Sequence, residues 1–356
     1  MKNIIYPKQV QIFISEVCSE GCRYCPYTAI PLKERIKLLK KELSINQWRQ
    51  VVHYFYSKMG VRFFTLIGGE PAAKKNVDKL VEYINKKLPG SQILFATSGL
   101  PLLSNKSLLE KLIKAGARNF LVSVDGIRTK PNLNINIKKE LSNLRSGLKK
   151  GSQRKSLLGL YFLFLLRKKY PKIKFRLGAN CIINKETIKL IIPTYNYFKK
   201  HNFYLNLCME QTLCFEGKSK TVFTKKDKQL LTRLTTKLIK IKKTADNFLI
   251  PSLEYLKSIP SVGLNQSYKC SASLFPSTIN ITSDGQLPFC IWHKGSLEKH
   301  RFNITAIIKE KKRYEDWLKL WQEDKNGQKC SCSWSFPDRV GDYRQKLYNN
   351  SWYQFL

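Results

Sequence analysis

Three cysteines lie close together near the start of the chain, in the segment CSEGCRYC that covers residues 18–25. Cys18, Cys22 and Cys25 are separated by three and then two residues, so one tight loop can direct three thiolates toward a common centre. Thiolates bind zinc and iron–sulfur clusters, and a closed structural site takes four of them. A set of three therefore predicts a metal centre with one open coordination position, as catalytic metal sites have.

A zinc ion that borrows a fourth ligand from elsewhere is the alternative for this loop, and the chain has four histidines. The first residues, MKNIIYPKQV, lack the apolar core and cleavage site of a signal peptide, so a cytoplasmic location is expected. In a reducing compartment, ten cysteines in tight clusters indicate metal ligands rather than disulfides.

The elements that must position this loop alternate between apolar, strand-like runs and helical segments. Strands are predicted at 9–15, 62–68, 92–99, 117–126, 172–183 and 203–209. Helices are predicted near 44–58, with Ser44 as N-cap, at 74–88, 104–116 and 185–200, and twice within 136–170. This order predicts an α/β fold with parallel strands and right-handed crossovers, in either an open doubly wound sheet or a barrel.

The cysteine pattern, with Tyr24 just before the last cysteine, resembles the signature of the radical S-adenosylmethionine (radical SAM) superfamily. The resemblance implies that Cys18, Cys22 and Cys25 bind a [4Fe–4S] cluster whose fourth iron is chelated by S-adenosyl-L-methionine. Reductive cleavage of that cofactor would give a 5′-deoxyadenosyl radical, which abstracts hydrogen from a substrate. The resemblance also implies a partial (β/α)6 TIM-like barrel over residues 9–210, which decides between the barrel and the open sheet.

Further motifs at the ends of later strands are similar to those of the same superfamily. Gly68-Gly69-Glu70-Pro71 resembles its GGE motif, and Thr97-Ser98-Gly99 its Thr-Asn-Gly, with serine in place of asparagine. Ser123-Val124-Asp125-Gly126 resembles its Ser-Leu-Asp-Gly. An ordinary turn is the alternative for the GGEP and Asp-Gly segments. The cofactor-binding residues that the resemblance implies are Tyr24, Gly68, Gly69, Glu70, Pro71, Ser98, Ser123, Asp125 and Asn180.

A second group of cysteines lies near the end of the chain. TINITSDGQLPFC, residues 278–290, predicts a hairpin whose turn is Asp284-Gly285. The spacing around it resembles the opening of SPASM and twitch domains, and the shorter twitch form fits because a longer, later cysteine set is absent. This resemblance implies one auxiliary [4Fe–4S] cluster, with zinc as the alternative. Its candidate ligands are Cys270, Cys290, Cys330 and Cys332.

These observations predict four segments and one function. The segments are a radical SAM partial barrel at 1–215, a basic linker and helix at 216–261, a twitch/SPASM-like domain at 262–336, and a tail at 337–356. The predicted function is oxidative modification of a peptide or small molecule, with the auxiliary cluster as electron acceptor. A reductant such as flavodoxin or ferredoxin is the expected partner.

The charge of the chain leaves a second function open. Lys and Arg number 64 against 25 Asp and Glu, a formal net charge of +39. This excess indicates either a polyanionic partner or a bias in residue usage, and an anionic substrate is compatible with both. The alternative function is a nucleic-acid-binding protein with structural iron–sulfur or zinc sites, although the sequence contains no recognised RNA-binding module.

One apolar run could be read as a membrane segment. LLGLYFLFLL, residues 157–166, is shorter than the ~18 residues that a membrane span needs. It predicts a buried helix, with a helix resting on an anionic membrane surface as the alternative.

Overall fold

The computed structural model describes the larger part of the chain. The described residues are 7–18, 20, 22, 25, 32–127, 151–210, 223–244, 247–264, 268–269, 278–288, 302–309, 315–317, 319 and 329–330. Tyr24, Cys270, Cys290 and Cys332 lie outside them, as does the tail at 337–356.

Strands and helices alternate along the chain. The strands are β1 Gln9–Ser15, β2 Phe63–Gly68, β3 Gln92–Thr97, β4 Asn119–Ser123, β5 Arg176–Ile183, β6 Tyr204–Met209, β7 Tyr268–Lys269, β8 Thr278–Ile281 and β9 Lys329–Cys330. The helices are α1 Leu32–Leu39, α2 Ile45–Met59, α3 Val77–Lys87, α4 Leu100–Ser104, α5 Lys106–Lys114, α6 Gly151–Lys169, α7 Ile191–Lys200, α8 Lys228–Lys243, α9 Leu253–Gly263 and α10 Ile304–Lys309. The six predicted strands of the first 210 residues are therefore confirmed as elements.

The first of two compact units contains residues 1–96, 110–117 and 268–330. Its parallel strands lie in the order β8-β1-β2-β3. All seven residues of β1 are buried, as expected for a central strand of a parallel sheet. Ser15 at the end of β1 is in register with Gly68 at the end of β2, so the loops that follow these two strands begin side by side.

Helix α2 shows why the sequence forms these elements where it does. Ser44 caps the helix as predicted, since its side chain accepts from the Gln47 N–H while the Gln47 side chain accepts from the Ser44 N–H. The helix ends at Gly60 in the left-handed conformation. Its buried face carries residues at helical spacing: Trp48, Val51, Val52, Phe55 and Met59.

The second unit contains residues 97–109, 118–267 and 331–356, and its parallel strands lie in the order β4-β5-β6. Helix α6 includes the apolar run 157–166, and several of its side chains are fully buried, which confirms the predicted buried helix: Leu158, Leu160, Phe162, Leu163 and Leu166. Among the described residues, no helix is both long enough and apolar enough to span a membrane.

The helix expected over 104–116 is confirmed as α5, and a short helix that was not predicted, α4, precedes it and ends at Asn105. The hairpin expected over 278–290 has its turn, with the Thr282 N–H donating to the Gln286 carbonyl oxygen, but residues 287 and 288, the last described residues of this segment, form no return strand. Gln286 instead bridges to Asn303, and β8 pairs with β1. Pro288 has no N–H to donate to a continuing ladder.

Candidate metal and cofactor site

The Gly-Gly-Glu segment lies directly along the chain that enters the cysteine loop. The Gly69 N–H donates to the Ser15 carbonyl oxygen, and the Glu70 N–H donates to the Val17 carbonyl oxygen, each at 2.7 Å. These bonds extend the β1–β2 pairing past the end of both strands. The structure thus brings together two motifs that are about 45 residues apart in sequence, and it places both at the carboxyl ends of β1 and β2, where parallel α/β folds carry their sites.

Glycine is needed at both positions of this segment because the two backbones almost touch. A Cβ on Gly68 would lie 2.5 Å from the Ser15 carbonyl oxygen, and Gly68 also has a φ of +136°. A Cβ on Gly69 would lie 2.4 Å from the Val17 carbonyl oxygen. Both glycines therefore allow this segment to approach the backbone of residues 15–17 closely.

The three cysteines are each half-buried. The Cys25 N–H donates to the Cys22 carbonyl oxygen at 3.0 Å, which closes a turn between these two ligands. The Glu20 N–H points to the Cys18 sulfur at 3.5 Å. Burial, together with the negative charges of Glu20, Glu70 and Cys25, raises the pKa of the Cys18 thiol to about 12.

The chemistry of these donors fits an iron–sulfur cluster. Within the part of the chain that the structure describes, no three His, Cys, Asp or Glu side chains are already arranged around a metal position. The charge of Cys25 nevertheless contributes to the raised pKa of the Cys18 thiol. Binding a cluster must remove protons from the thiols and draw them together, as metal binding to cysteines generally does.

Glu70 and Pro71 form the start of a short 3₁₀ turn. Glu70 is buried, and its carboxylate oxygen accepts from the Ala72 N–H at 3.1 Å. Pro71 occupies the first position of the turn, where its missing N–H costs nothing. The position of Glu70 after Gly69 is therefore fixed by its own backbone cap, with its charge close enough to act on Cys18.

The sequence analysis missed Glu42, which holds the entry to the cysteine loop. One oxygen of Glu42 accepts from the Ser15 hydroxyl and from the Glu16 N–H, both at 2.9 Å. Its other oxygen pairs with the Lys74 ammonium at 2.7 Å, and the two side chains are only 4% and 12% exposed. Glu42 lies in a short loop between helices, where no local pattern signals its role.

Glu16 is a second acidic residue at this edge that the sequence analysis missed. Its carboxylate accepts from the Ser283 hydroxyl at 3.0 Å. Burial, with the nearby charges of Glu42 and Asp284, raises the pKa of Glu16 to about 7, against the lowering effect of the Ser283 hydrogen bond. The turn after β8 is thereby fastened to the residue that follows β1.

The remaining predicted cofactor residues lie in the second unit. The Ser98 hydroxyl accepts from the Leu100 N–H at 3.3 Å, which places it at the start of α4. Ser123, the last residue of β4, is exposed and in register with Asn180 of β5. Asp125 is buried, and its carboxylate accepts from the Ile182 N–H at 3.4 Å, so it joins the end of β4 to β5.

Asn180 belongs to a polar cluster that the sequence analysis did not predict. Its side-chain oxygen accepts from the Asn206 amide at 2.7 Å and from the Cys208 thiol at 3.3 Å. Asn206 is directly opposite Asn180 in the β5–β6 register, and Cys208 is two residues further along β6. Alternation along paired strands would have revealed this shared face if the register had been known.

Of the second cysteine group, the structure describes only the backbone of Cys330. It is the last residue of β9 and pairs with Tyr268 of β7, in an antiparallel register. Tyr268 is two residues before Cys270 in sequence. Cys270, Cys290 and Cys332 lie outside the described residues, so the predicted ligand set stays a prediction.

Comparison with known proteins decides the family of the first part of the chain. The Radical SAM superfamily matches residues 12–150. This region is therefore similar to the radical SAM superfamily. The superfamily is one of enzymes, and the matched region includes the three cysteines and the Gly-Gly-Glu segment.

The radical SAM relatives known by sequence match part of the chain. The GTP 3′,8-cyclase of Staphylococcus epidermidis (strain ATCC 35984) is 27% identical over 209 residues, which cover 57% of this chain and 55% of the cyclase. Molybdenum cofactor biosynthesis protein 1 of Drosophila melanogaster is 33% identical over 121 residues, which cover 33% of this chain and 20% of that protein. The chain thus spans about half or less of the length of these curated relatives.

Solved radical SAM structures share the fold over most of the chain. Streptococcus suis SuiB bound to S-adenosylmethionine has a TM-score of 0.59 at 16% identity, covering 89% of this chain and 66% of SuiB. Native anSMEcpe with bound AdoMet and Cp18Cys peptide has a TM-score of 0.55 at 21% identity, covering 98% of this chain and 95% of that one. The predicted partial (β/α)6 barrel is confirmed by this likeness.

Replacing Gly69 by alanine is expected to destabilise the site. The added Cβ meets a backbone carbonyl, so residues 15–17 must move, at a cost of about 3 kcal/mol in the free energy of unfolding. Urea denaturation measures this cost, and iron retained after anaerobic reconstitution measures damage to the cysteine loop. Gly90→Ala is the control, since its Cβ meets nothing within 4 Å; its φ of +75° costs about 1 kcal/mol. Equal iron contents in the two variants would contradict this prediction.

Proposed function

We propose that the chain is a radical SAM enzyme in which Cys18, Cys22 and Cys25 hold a [4Fe–4S] cluster that binds S-adenosyl-L-methionine. The observation that carries the proposal is the backbone pairing of Gly69 and Glu70 with Ser15 and Val17. It places the Gly-Gly-Glu segment against the entry to a loop that supplies three thiolates and no fourth. When bound, this cluster and cofactor supply a 5′-deoxyadenosyl radical that abstracts hydrogen from a substrate.

The chain's own residues bind and orient the cofactor in this proposal. Gly68 and Gly69 bring backbone groups to the cluster loop without side chains in the way. Glu70, held by the Ala72 N–H, is the acceptor proposed for the amino group of S-adenosylmethionine. Tyr24, Pro71, Ser98, Ser123, Asp125 and Asn180 complete the proposed set of cofactor contacts.

We propose an auxiliary [4Fe–4S] cluster on Cys270, Cys290, Cys330 and Cys332, acting as the electron acceptor. The pairing of Tyr268 with Cys330 supports it, because this pairing brings the chain two residues before Cys270 next to one proposed ligand. The segments proposed for this arrangement keep the boundaries predicted from sequence: barrel to 215, linker to 261, cluster domain to 336.

The proposed substrate is a peptide or a small molecule that is modified oxidatively. SuiB has been solved with the precursor peptide SuiA, and anSMEcpe with the Cp18Cys and Kp18Cys peptides, which favours a peptide. The GTP 3′,8-cyclase relatives favour a nucleotide as the small-molecule candidate, and a net charge of +39 is compatible with an anionic one. A reductant such as flavodoxin or ferredoxin is the proposed electron donor.

Anaerobic reconstitution with iron and sulfide tests this proposal. The expected result is a brown protein with about eight iron atoms per chain, if both clusters contain four. After reduction with dithionite, it should convert S-adenosylmethionine to methionine and 5′-deoxyadenosine. A colourless zinc protein would contradict the proposal, and salt-sensitive RNA binding without cofactor cleavage would favour the nucleic-acid-binding alternative.

A further inference from the structure

An open cavity with a basic lining lies on the helical side of the first unit. Its volume is about 440 Å³, and it lies between the start of α2 and the start of α3. Its charged and amide-bearing lining residues are Asn46, Arg49, Lys74, Lys75, Asn76 and Lys79. None of its lining residues is acidic, in a chain whose cations outnumber its anions 64 to 25.

The positive charge of this cavity comes mainly from three side chains. Lys74 is already neutralised by Glu42 at 2.7 Å. Arg49, Lys75 and Lys79 line the cavity as well, and Lys75 and Lys79 are exposed. Glu82 is an acidic residue near this cavity, and it is paired with Lys86 at 2.6 Å. The pKa of its carboxyl is lowered mainly by Lys86 and to a smaller extent by Arg49 and Lys79. The cavity therefore holds cations in excess of the anions around it.

The Arg49 guanidinium is held in place across the cavity. One of its terminal nitrogens donates to the Asn46 side chain and the other to the Lys79 carbonyl oxygen, each at 3.3 Å. Its Nε is buried and has no hydrogen-bond partner among the described residues. A guanidinium that is already fixed loses little conformational freedom when it binds an anion. Arginine also binds phosphate with a planar set of donors, which the ammonium group of lysine does not have.

The backbone at the start of α3 adds to the positive electrostatic potential of this cavity. Asn76 precedes the helix in a left-handed conformation, with φ 61°, and its side chain does not cap the helix. N–H groups in the first turn of a helix carry partial positive charge and favour phosphate. Asp78, in the same turn, is half-buried and is not among the cavity's lining residues.

We propose that this cavity is a binding site for a small phosphate-bearing anion. Its volume suits a compact ligand such as inorganic pyrophosphate or the phosphate end of a nucleotide, and not a polymer that runs along a surface. Three cations around one cavity can each supply a charge-assisted hydrogen bond to phosphate oxygens. The site consists of residues on the helical side of the unit and does not depend on the proposed radical chemistry.

Titration calorimetry on the reconstituted protein tests this site. The probes are inorganic phosphate, pyrophosphate and GTP at about 150 mM salt, where weak long-range attraction is screened. The variant is K75Q/K79Q, and the matched control is K111Q/K114Q, which removes the same charge from exposed positions on α5. Binding of one pyrophosphate per chain is expected, weakened about tenfold or more in K75Q/K79Q and unchanged in the control.

The outcomes separate the sources of the ligand and the ways in which the proposal fails. If GTP binds and its binding weakens in K75Q/K79Q, the natural ligand is a nucleotide. If only phosphate or pyrophosphate binds, the natural ligand is an inorganic anion. Equal weakening in both double variants would show that net charge is responsible, and this would overturn the site. So would the absence of binding by all three probes. If pyrophosphate does not bind but an RNA oligonucleotide does, and its binding depends on Lys75 and Lys79, the proposal is overturned and this surface is a nucleic-acid-binding one.

Discussion

Cys22→Ala is expected to abolish the reductive cleavage of S-adenosylmethionine. Three thiolates are the fewest that can hold three corners of the proposed cluster, and alanine leaves one iron without its protein ligand. Formation of 5′-deoxyadenosine should fall to the background of the unreacted mixture. Iron content should fall by about four atoms per chain, with the others kept by the proposed auxiliary cluster. Product chromatography and iron analysis measure the two effects separately.

Cys181→Ala is the matched control for this variant. Cys181 lies on β5 with no exposed surface, and burial raises the pKa of its thiol well above the ordinary value, so it packs as a small apolar residue. Its loss should cost about 1 kcal/mol of stability and no iron. Cofactor cleavage that survives in Cys22→Ala, or that is lost equally in both variants, would rule out the assignment of the loop as the cluster site.

The sequence was sufficient to predict the part of the site that depends on local spacing. Cys18, Cys22 and Cys25 share one loop, so their proximity follows from the spacing alone, and the apolar run 9–15 predicted the strand before them. The Gly-Gly-Glu segment could be placed after the second strand because both strands are continuous apolar runs. Parallel pairing then brings their carboxyl ends together, as the Ser15–Gly68 register shows.

Contacts between residues distant in sequence could not be predicted in the same way. β8 has four residues, and its nearest signal is the Asp284-Gly285 turn, which predicts a hairpin. Its actual partner is the open edge of β1, about 270 residues earlier, with Gln9 opposite Thr278. The unpaired N–H and C=O groups of an edge strand can pair with any strand that lies beside them. No local sequence pattern indicates which strand that will be.

Glu42 illustrates the same limit at the site itself. A glutamate in a Lys-rich loop predicts a solvated charge, whereas burial between Ser15, Glu16 and Lys74 makes it a structural anchor. Only the three-dimensional arrangement distinguishes these two states. In sequence, Glu42 and Lys74 are separated by a helix and a strand, and neither is part of a motif.

Glu42→Gln is expected to destabilise the protein by about 4 kcal/mol and to loosen the entry to the cysteine loop. Glutamine can still accept from Ser15 and Glu16, but it leaves the Lys74 ammonium, 12% exposed, without its counter-charge. Breaking a buried ion pair on one side costs about 3–5 kcal/mol, because the remaining charge stays desolvated. Urea denaturation measures the loss, and slower or incomplete iron incorporation reports the effect on the loop.

The chain offers a matched control in an ion pair of nearly the same length at the surface. Lys86 and Glu82 are 2.6 Å apart with side chains 70% and 45% exposed, so Glu82→Gln should leave the free energy of unfolding nearly unchanged. Adding Lys74→Met to Glu42→Gln should recover most of the lost stability, since the unpaired charge is then gone. If Glu42→Gln and Glu82→Gln cost the same, burial does not strengthen the Glu42–Lys74 pair. The entry to the cysteine loop would then be held by the hydrogen bonds of Ser15 and Glu16 to residue 42 and by the Gly69–Ser15 and Glu70–Val17 backbone bonds.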